Sequence, residues 1–440
     1  MGHHGASTTQ RRPAIAPTTS HRHGPGGDDP ARSRHEPERT AVPDAVVGAA
    51  AQVRISVLDA TDWPPERWDA LAVESAAGHY MQSHAWLESK RGLGWDVHRY
   101  VIVADGRDIG VVALQERSLL RRLPGRLGRL RYGYAPRGPV PLAGDLAGEP
   151  ADGSAGLEPA VLDEAAPPLV HPSTAHLRAL LAGLRRIARR DRIAILTIDP
   201  EWPDTPETDA ALSAAGFFPA ARQVQVSRTA MIATAHPDER DQHRLLRKSA
   251  ANDVNRARRA GVVAERVDLR DPAGAEAALR EFFAMFETTG RRRGFVVRDR
   301  DYQLGQWMAL GQAGHAALWF ATIDGRRIAG SLLMRAGNRW IQALAGYPDP
   351  ADMARYRPNH LLQWSIIRWA AESGCAAYDL GGVDTSDATG IPAGPDHPLW
   401  DLYVFKRNMG GRPQIYVGAR EYARLPVFRL AWNAARRIRR

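Results

Sequence analysis

Of the 59 lysines and arginines in this 440-residue chain, only three are lysine: Lys90, Lys248 and Lys406. Arginine, alanine, glycine and proline all run high, as drift toward GC-rich codons produces. Such drift replaces lysine by arginine wherever any cation serves. A retained lysine then marks a place where a compact ammonium matters and a planar guanidinium does not serve. Lys406 follows Phe405 and precedes Gly410-Gly411; Lys90 closes the segment MQSHAWLESK; Lys248 opens the basic run KSAANDVNRARRAG. Two carboxylates, Asp379 and Asp384, flank the Gly381-Gly382 pair in YDLGGVDTSD. The single cysteine, Cys375, can build neither an internal disulfide nor a thiolate zinc site, and no Cys/His or Gly-x-Ser-x-Gly arrangement offers a covalent nucleophile. No metal and no cofactor is expected.

Apolar content of 44% and charged content of 25% exclude wholesale disorder, and the length suggests two or three domains. No run of eighteen apolar residues exists, so no membrane span is expected. The polar start lacks the apolar stretch of a secretory signal, and with the lone cysteine this fits a reducing cytoplasm. The net charge of +10 is uneven. From Arg117 to Arg137 there are seven arginines and no acid, and residues 401–440 carry ten basic side chains against two acidic. That asymmetry suggests a phosphate-bearing partner: nucleic acid, a nucleotide-linked substrate or an anionic membrane surface. A solvated arginine surface left by coding bias is the plain alternative.

The elements that must position these residues show themselves as a repeat. VHRYVIVADGRDIGVVALQERS (97–118) and ALWFATIDGRRIAGSLLMRAG (317–337) each read strand, Asp-Gly turn, strand. Each is followed by a basic or aromatic strand, then by an amphipathic helix leading into an apolar strand: AHLRALLAGLRRIARRDRIAILTID (175–199) and NHLLQWSIIRWAAESGCAAYDLGG (359–382). The first copy is longer, through an acidic low-complexity loop at 141–172. The expected architecture is α+β: a disordered tail (1–51), two copies of one unit (52–225 and 226–420), and a basic C-terminal helix (421–440). A hairpin followed by a helix and a strand is compatible with an acyltransferase-type fold, and with other α+β folds.

Four local patterns occur in order along the chain: MQSHAWLESKRGLGWDVHRYVI (81–102), YGYAPRGPV (132–140), LLRKSAANDVNRARRAGV (245–262), and YDLGGVDTSD (378–387) followed by HPLWDLYVFKRNMGGRPQIYVGARE (397–421). Together they resemble the Fem family of aminoacyltransferases, which add amino acids from aminoacyl-tRNA to the stem peptide of peptidoglycan precursors. The aromatic-Asp-x-Gly-Gly strand end, with Phe405-Lys406 and Gly410-Gly411 after it, is the most specific part. The resemblance covers nearly all of 55–430. It implies a tandem duplication of an acyl-CoA N-acyltransferase (GNAT)-like domain. The short interval from Arg244 to Gly261 matches members without a long coiled-coil arm.

The reaction implied is attack of an amine on the ester that links an amino acid to the 3′ end of tRNA. Such an ester is already activated, so direct transfer suffices, provided the amine is neutral and the oxyanion is stabilised. The resemblance makes Lys406, with Phe405, the catalytic pair, Lys406 acting as a cation for phosphate or oxyanion. It places Lys90 at the acceptor's phosphates, and Arg298 with Tyr302 as a pair holding the acceptor, although Arg291 to Arg293 compete for that register. Arg137 either clamps an anion or caps its own loop. Asp384 lies where a second-half cleft would open; Asp379 is better suited to satisfying loop amides. Lys248, Arg247, Arg256 and Arg259 lie on a basic helix that either tracks tRNA phosphates or is a solvated face. The acid expected just after APRGP is displaced to Asp145. The expected partners are aminoacyl-tRNA and a lipid- or UDP-linked muropeptide, with the chain a cytoplasmic monomer. Its C-terminal face of Val427, Leu430 and Trp432 either touches the inner membrane surface or packs on the second domain. The rivals are transfer to a natural-product peptide, acyl-CoA-dependent N-acyl transfer, and RNA binding without catalysis. The acyl-CoA rival needs a Gly-rich pyrophosphate turn that follows neither hairpin.

Overall fold

Both Asp-Gly sequences form tight turns, because Asp105 (φ 48°) with Gly106 (φ 82°) and Asp324 (φ 49°) with Gly325 (φ 76°) all enter the left-handed region. Two consecutive residues of that kind give the turn whose twist matches paired strands. This computed structural model describes residues 53–119, 129–143, 157–159, 170–234, 238–383, 392, 394–430 and 432. The tail at 1–51 and most of the acidic loop lie outside them, as do Asp145 and Asp384.

The first half runs β1 (Ile55–Asp59), α1 (Pro65–Ala72), α2 (His84–Arg91), β2 (Asp96–Ala104), β3 (Arg107–Ser118), β4 (Arg131–Pro136) and β5 (Val140–Pro141), then a small pair of β6 (Leu157–Pro159) and β7 (Val170–Pro172). It continues with α3 (Thr174–Arg190), β8 (Ile193–Asp199), α4 (Pro206–Ala214) and β9 (Phe217–Pro219). The second half runs β10 (Arg228–Ala233), α5 (Glu239–Arg244), α6 (Lys248–Arg259), β11 (Val263–Val267), α7 (Pro272–Arg293), α8 (Arg300–Gln312), β12 (Ala316–Ile323), β13 (Arg326–Ala336) and β14 (Arg339–Gly346). It ends with α9 (Pro350–Tyr356), α10 (Pro358–Glu372), β15 (Ala377–Gly382), α11 (Trp400–Asn408), β16 (Arg412–Ile415) and β17 (Arg420–Ala423). Only the short α5 and α6 are described between β10 and β11, so no long helical arm interrupts that interval.

The two sheets have matching orders, β1-β2-β3-β4-β8-β17-β9 and β11-β12-β13-β14-β15-β10-β16. In both, the fourth and fifth strands are parallel and every other neighbour along the path is antiparallel. The sixth position is exchanged. β10, which follows β9 in the chain, completes the second sheet, and β17, which follows β16, crosses back between β8 and β9 of the first. The sequence reading therefore needs correcting at residue 421: Arg420–Ala423 is a strand, and helical turns begin only at Pro426. Tyr422 explains the crossing, since its ring is buried against Phe217 in the first core.

Amphipathic helices cover the sheets. Ser173 caps α3 by accepting from the amide of His176, and the helix buries Leu177, Leu180, Leu181, Leu184 and Ile187. α10 does the same on the second sheet with Leu361, Leu362, Trp364, Ile366 and Ile367. Each such side chain stabilises by about 1.5–3 kcal/mol when fully buried. A third core forms on the seam, where Tyr80 and Met81 join Phe282, Phe286, Trp307 and Met334.

Candidate functional site

The two parallel pairs differ in one respect. β4 and β8 stay paired from Arg131 to Pro136, whereas β14 and β15 pair only at Arg339–Ala377, Trp340–Tyr378 and Ile341–Asp379 and then part. On its other edge β14 carries a bulge: Gln342 faces Leu333 and Leu344 faces Leu332, which leaves Ala343 as an extra residue. Residues 341–345 are accordingly half-buried. An opening of this kind lets a ligand reach backbone groups inside a sheet.

Lys406 points to the edge of this opening from α11. It is buried, and its Nζ donates to the carbonyls of Gly381 (2.9 Å) and Gly382 (2.5 Å) at the end of β15. An ammonium has three donors, so two are fixed and one remains. Burial lowers its pKa to about 8, with Asp379 opposing. Gly381 must be glycine here, because its φ is 79° and an added Cβ would stand 2.9 Å from the carbonyl oxygen of Gln342. The Gly410-Gly411 pair has the same kind of cause: Cβ atoms there would meet Leu245 O at 2.9 Å and Lys406 O at 2.8 Å. Phe405 is half-buried against the second core, its ring edge-on to His360 at 5.0 Å.

Asp379 is buried and holds the strand end in place. One of its oxygens accepts from the Thr229 hydroxyl and from the Gly381 amide at 2.7 Å, while burial raises its pKa. Beyond it lies an ionic cluster across the seam that, apart from Arg137 of the APRGP turn, no sequence motif announces. Glu201, from the first half, forms an ion pair with Arg339 at the start of β14, and lies 3.7 Å from both His79 and Arg137. Although burial alone would raise it, Arg339, His79 and Arg137 together hold Glu201 at about 2. Arg137 is buried at φ 56° and donates to the Val226 carbonyl at 2.8 Å. That bond joins the APRGP turn to the segment leading into β10.

A second cation centre forms where α2 meets α8. Lys90 and Tyr302, 212 residues apart, come within 2.5 Å, Nζ donating to the phenol oxygen. The Lys90 ammonium also sits 3.7 Å above the Trp86 ring, and Gln306 donates to both the Ser89 and the Tyr302 hydroxyls. Burial, with the nearby positive charge of Arg298, brings Lys90 down to about 7. Trp86 in turn packs edge-on against Tyr80 of the seam core at 5.3 Å. A buried lysine whose contacts among the described residues are neutral, with a second cation nearby, is poised for an anion.

Lys248, Arg256 and Arg259 are exposed on α6, as is Arg247 just ahead of it, whose amide ties the start of the helix to the Lys406 helix by donating to the Asn408 carbonyl at 2.8 Å. Of the competing arginines, Arg292 and Arg293 bond to Tyr347 and Pro348 rather than facing Lys90. Sequence reasoning missed Glu201, Arg339, His79 and Gln306, and took Trp86 only as an inward-facing helix residue. Only Trp86 carried a local signal, as an aromatic four residues before a rare lysine.

A family model described as an acetyltransferase (GNAT) domain matches residues 244–389, the part of the second half that holds the opening. The lipid II:glycine glycyltransferase of Staphylococcus aureus strain MRSA252 is 21% identical over 437 residues, covering 82% of this chain and 92% of that protein. The same enzyme from strain USA300 gives the same figures. Among solved structures, the crystal structure of FemX shares the fold with a TM-score of 0.65 at 19% identity, covering 85% of this chain and 99% of that one.

Proposed function

We propose, starting from a chain that is a distant member of the Fem aminoacyltransferases with a GNAT domain, that it moves an amino acid from aminoacyl-tRNA to the stem-peptide amine of a peptidoglycan precursor. The product is an interpeptide-bridge residue. The observation that carries this reading is Lys406, a buried cation with one free donor at the parting of β14 and β15.

In the step itself, the acceptor nitrogen bonds to the ester carbonyl carbon and the bond from that carbon to the ribose oxygen breaks. The proton lost by the nitrogen ends on the ribose oxygen. Negative charge gathers on the carbonyl oxygen meanwhile, and the third Lys406 donor is available to it; a preorganised donor is most effective where water is excluded. The Lys90, Tyr302 and Arg298 centre supports a place for the acceptor's pyrophosphate, and the exposed arginines of α6 support a track for tRNA phosphates. Such chemistry belongs on the cytoplasmic side, where charged tRNA is found. Among the described residues no helix is long and apolar enough to cross a membrane.

The test is transfer of a radiolabelled amino acid from charged tRNA to a muropeptide, with and without RNase. Label transfer abolished by RNase supports the reading. RNase-insensitive activity from an acyl-CoA would replace it with ordinary N-acyl transfer on the same fold.

A further inference from the structure

We infer that the loop joining α7 to α8, residues 294–299, docks on an anionic bilayer and presents the neighbouring Lys90 centre to a lipid-linked acceptor. This deepens the proposed function, and its choice of a lipid-linked over a nucleotide-linked precursor rests on that reading. Val296 is 91% exposed, the most exposed large apolar side chain among the described residues. Its neighbours fix it outward. Phe295, itself 41% exposed, packs on Phe286 at 5.3 Å, and Val297 packs on the seam core, so the residue between them can only point away.

Around this apolar tip, residues 287–301 hold five arginines against three acids, of which Glu287 pairs with Arg291 at 4.0 Å. Asp299 is occupied as the cap of α8, accepting from the Tyr302 amide at 2.9 Å. Arg292 and Arg293 bond to neutral oxygens of Tyr347 and Pro348, so their positive charge is left uncompensated. An exposed apolar tip in an arginine-rich segment matches the interface of an anionic membrane, apolar below and negative at the surface. Arg298 belongs both to this segment and to the surroundings of Lys90, whose charge it opposes.

The experiment measures cosedimentation of the full chain with vesicles of phosphatidylglycerol and phosphatidylcholine, and with phosphatidylcholine alone. Binding to the anionic vesicles is expected, weakening with salt, each arginine near the surface being worth about fivefold. Val296→Asp should weaken it about tenfold or more. It should lower kcat/KM to a similar degree on a lipid-linked acceptor in vesicles, and leave a water-soluble UDP-linked muropeptide unaffected. Leu430→Asp, on the exposed face of the C-terminal segment, serves as the comparison. The inference is overturned if wild type ignores anionic vesicles, if Val296→Asp binds them like wild type, or if only Leu430→Asp loses binding. Failure of tRNA-dependent transfer to every muropeptide would instead sink the proposed function, while vesicle binding would still judge the loop.

Discussion

Glu201 is the group whose removal should be felt furthest. Replaced by glutamine, it leaves Arg339 and Arg137, both buried, without the anion they share. Breaking a buried ion pair costs about 3–5 kcal/mol. The lower end applies, because Asp379 still acts on Arg339 and Asp199 on Arg137. An independent route agrees. Glu201 is held at about 2 against an ordinary 4.5, and each tenfold change in proton affinity is worth about 1.4 kcal/mol, which gives about 3 kcal/mol. A depressed carboxylate contributes that stability above pH 4.5 and loses it as pH falls from 4.5 toward 2. Urea unfolding of wild type and Glu201→Gln should therefore differ by about 3 kcal/mol at pH 7, the gap shrinking to roughly half by pH 3. A difference under about 1 kcal/mol at pH 7, or a gap unchanged at pH 3, would refute the claim that this carboxylate ties the halves together.

Lys406→Met should cut kcat about a hundredfold or more, the usual loss of a preorganised oxyanion donor, whereas Lys248→Met should change it by only about a few-fold. Since burial brings Lys406 to about 8, kcat should fall as pH rises past 8; a wild-type profile with no such limb would contradict a cationic role. Lys90→Met should raise the acceptor KM more than it lowers kcat, and with Lys90 near 7 acceptor affinity should weaken between pH 6 and 8; steady-state titration of the acceptor checks both. Gly381→Ala should cost about 1–2 kcal/mol for the left-handed backbone alone. The clash with the Gln342 carbonyl also disturbs the carbonyls that hold Lys406, so activity should drop further than a thermal melt would suggest.

What the sequence disclosed, and what it hid, follows from how far apart the causes lie. The Asp-Gly turns, the amphipathic helices and the repeat were legible because each depends on neighbours within a few residues. Lys90 and Lys406 were noticed for their rarity. The closeness of Lys90 to Tyr302 is a tertiary fact that no local pattern encodes. Glu201 and Arg339, 138 residues apart, look like ordinary charged residues until the two halves meet. The placing of residues 421–423 in a helix failed because a short strand ahead of a basic segment has no periodicity of its own, and its partners, β8 and β9, lie some two hundred residues earlier.

That crossing strand also has a consequence for how the protein is made. β9 ends at Pro219, and the strand that must enter beside it begins at Arg420. At about 5–20 residues per second, a ribosome needs about 10–40 s to supply the missing piece. Throughout that interval the nascent first half holds a gap in its sheet, with open edges on β8 and β9. Chaperones that shield such edges should matter more for this chain than for a string of independent domains. A ribosome that stops early releases a product that cannot close its first sheet, and so exposes its own incompleteness to proteases.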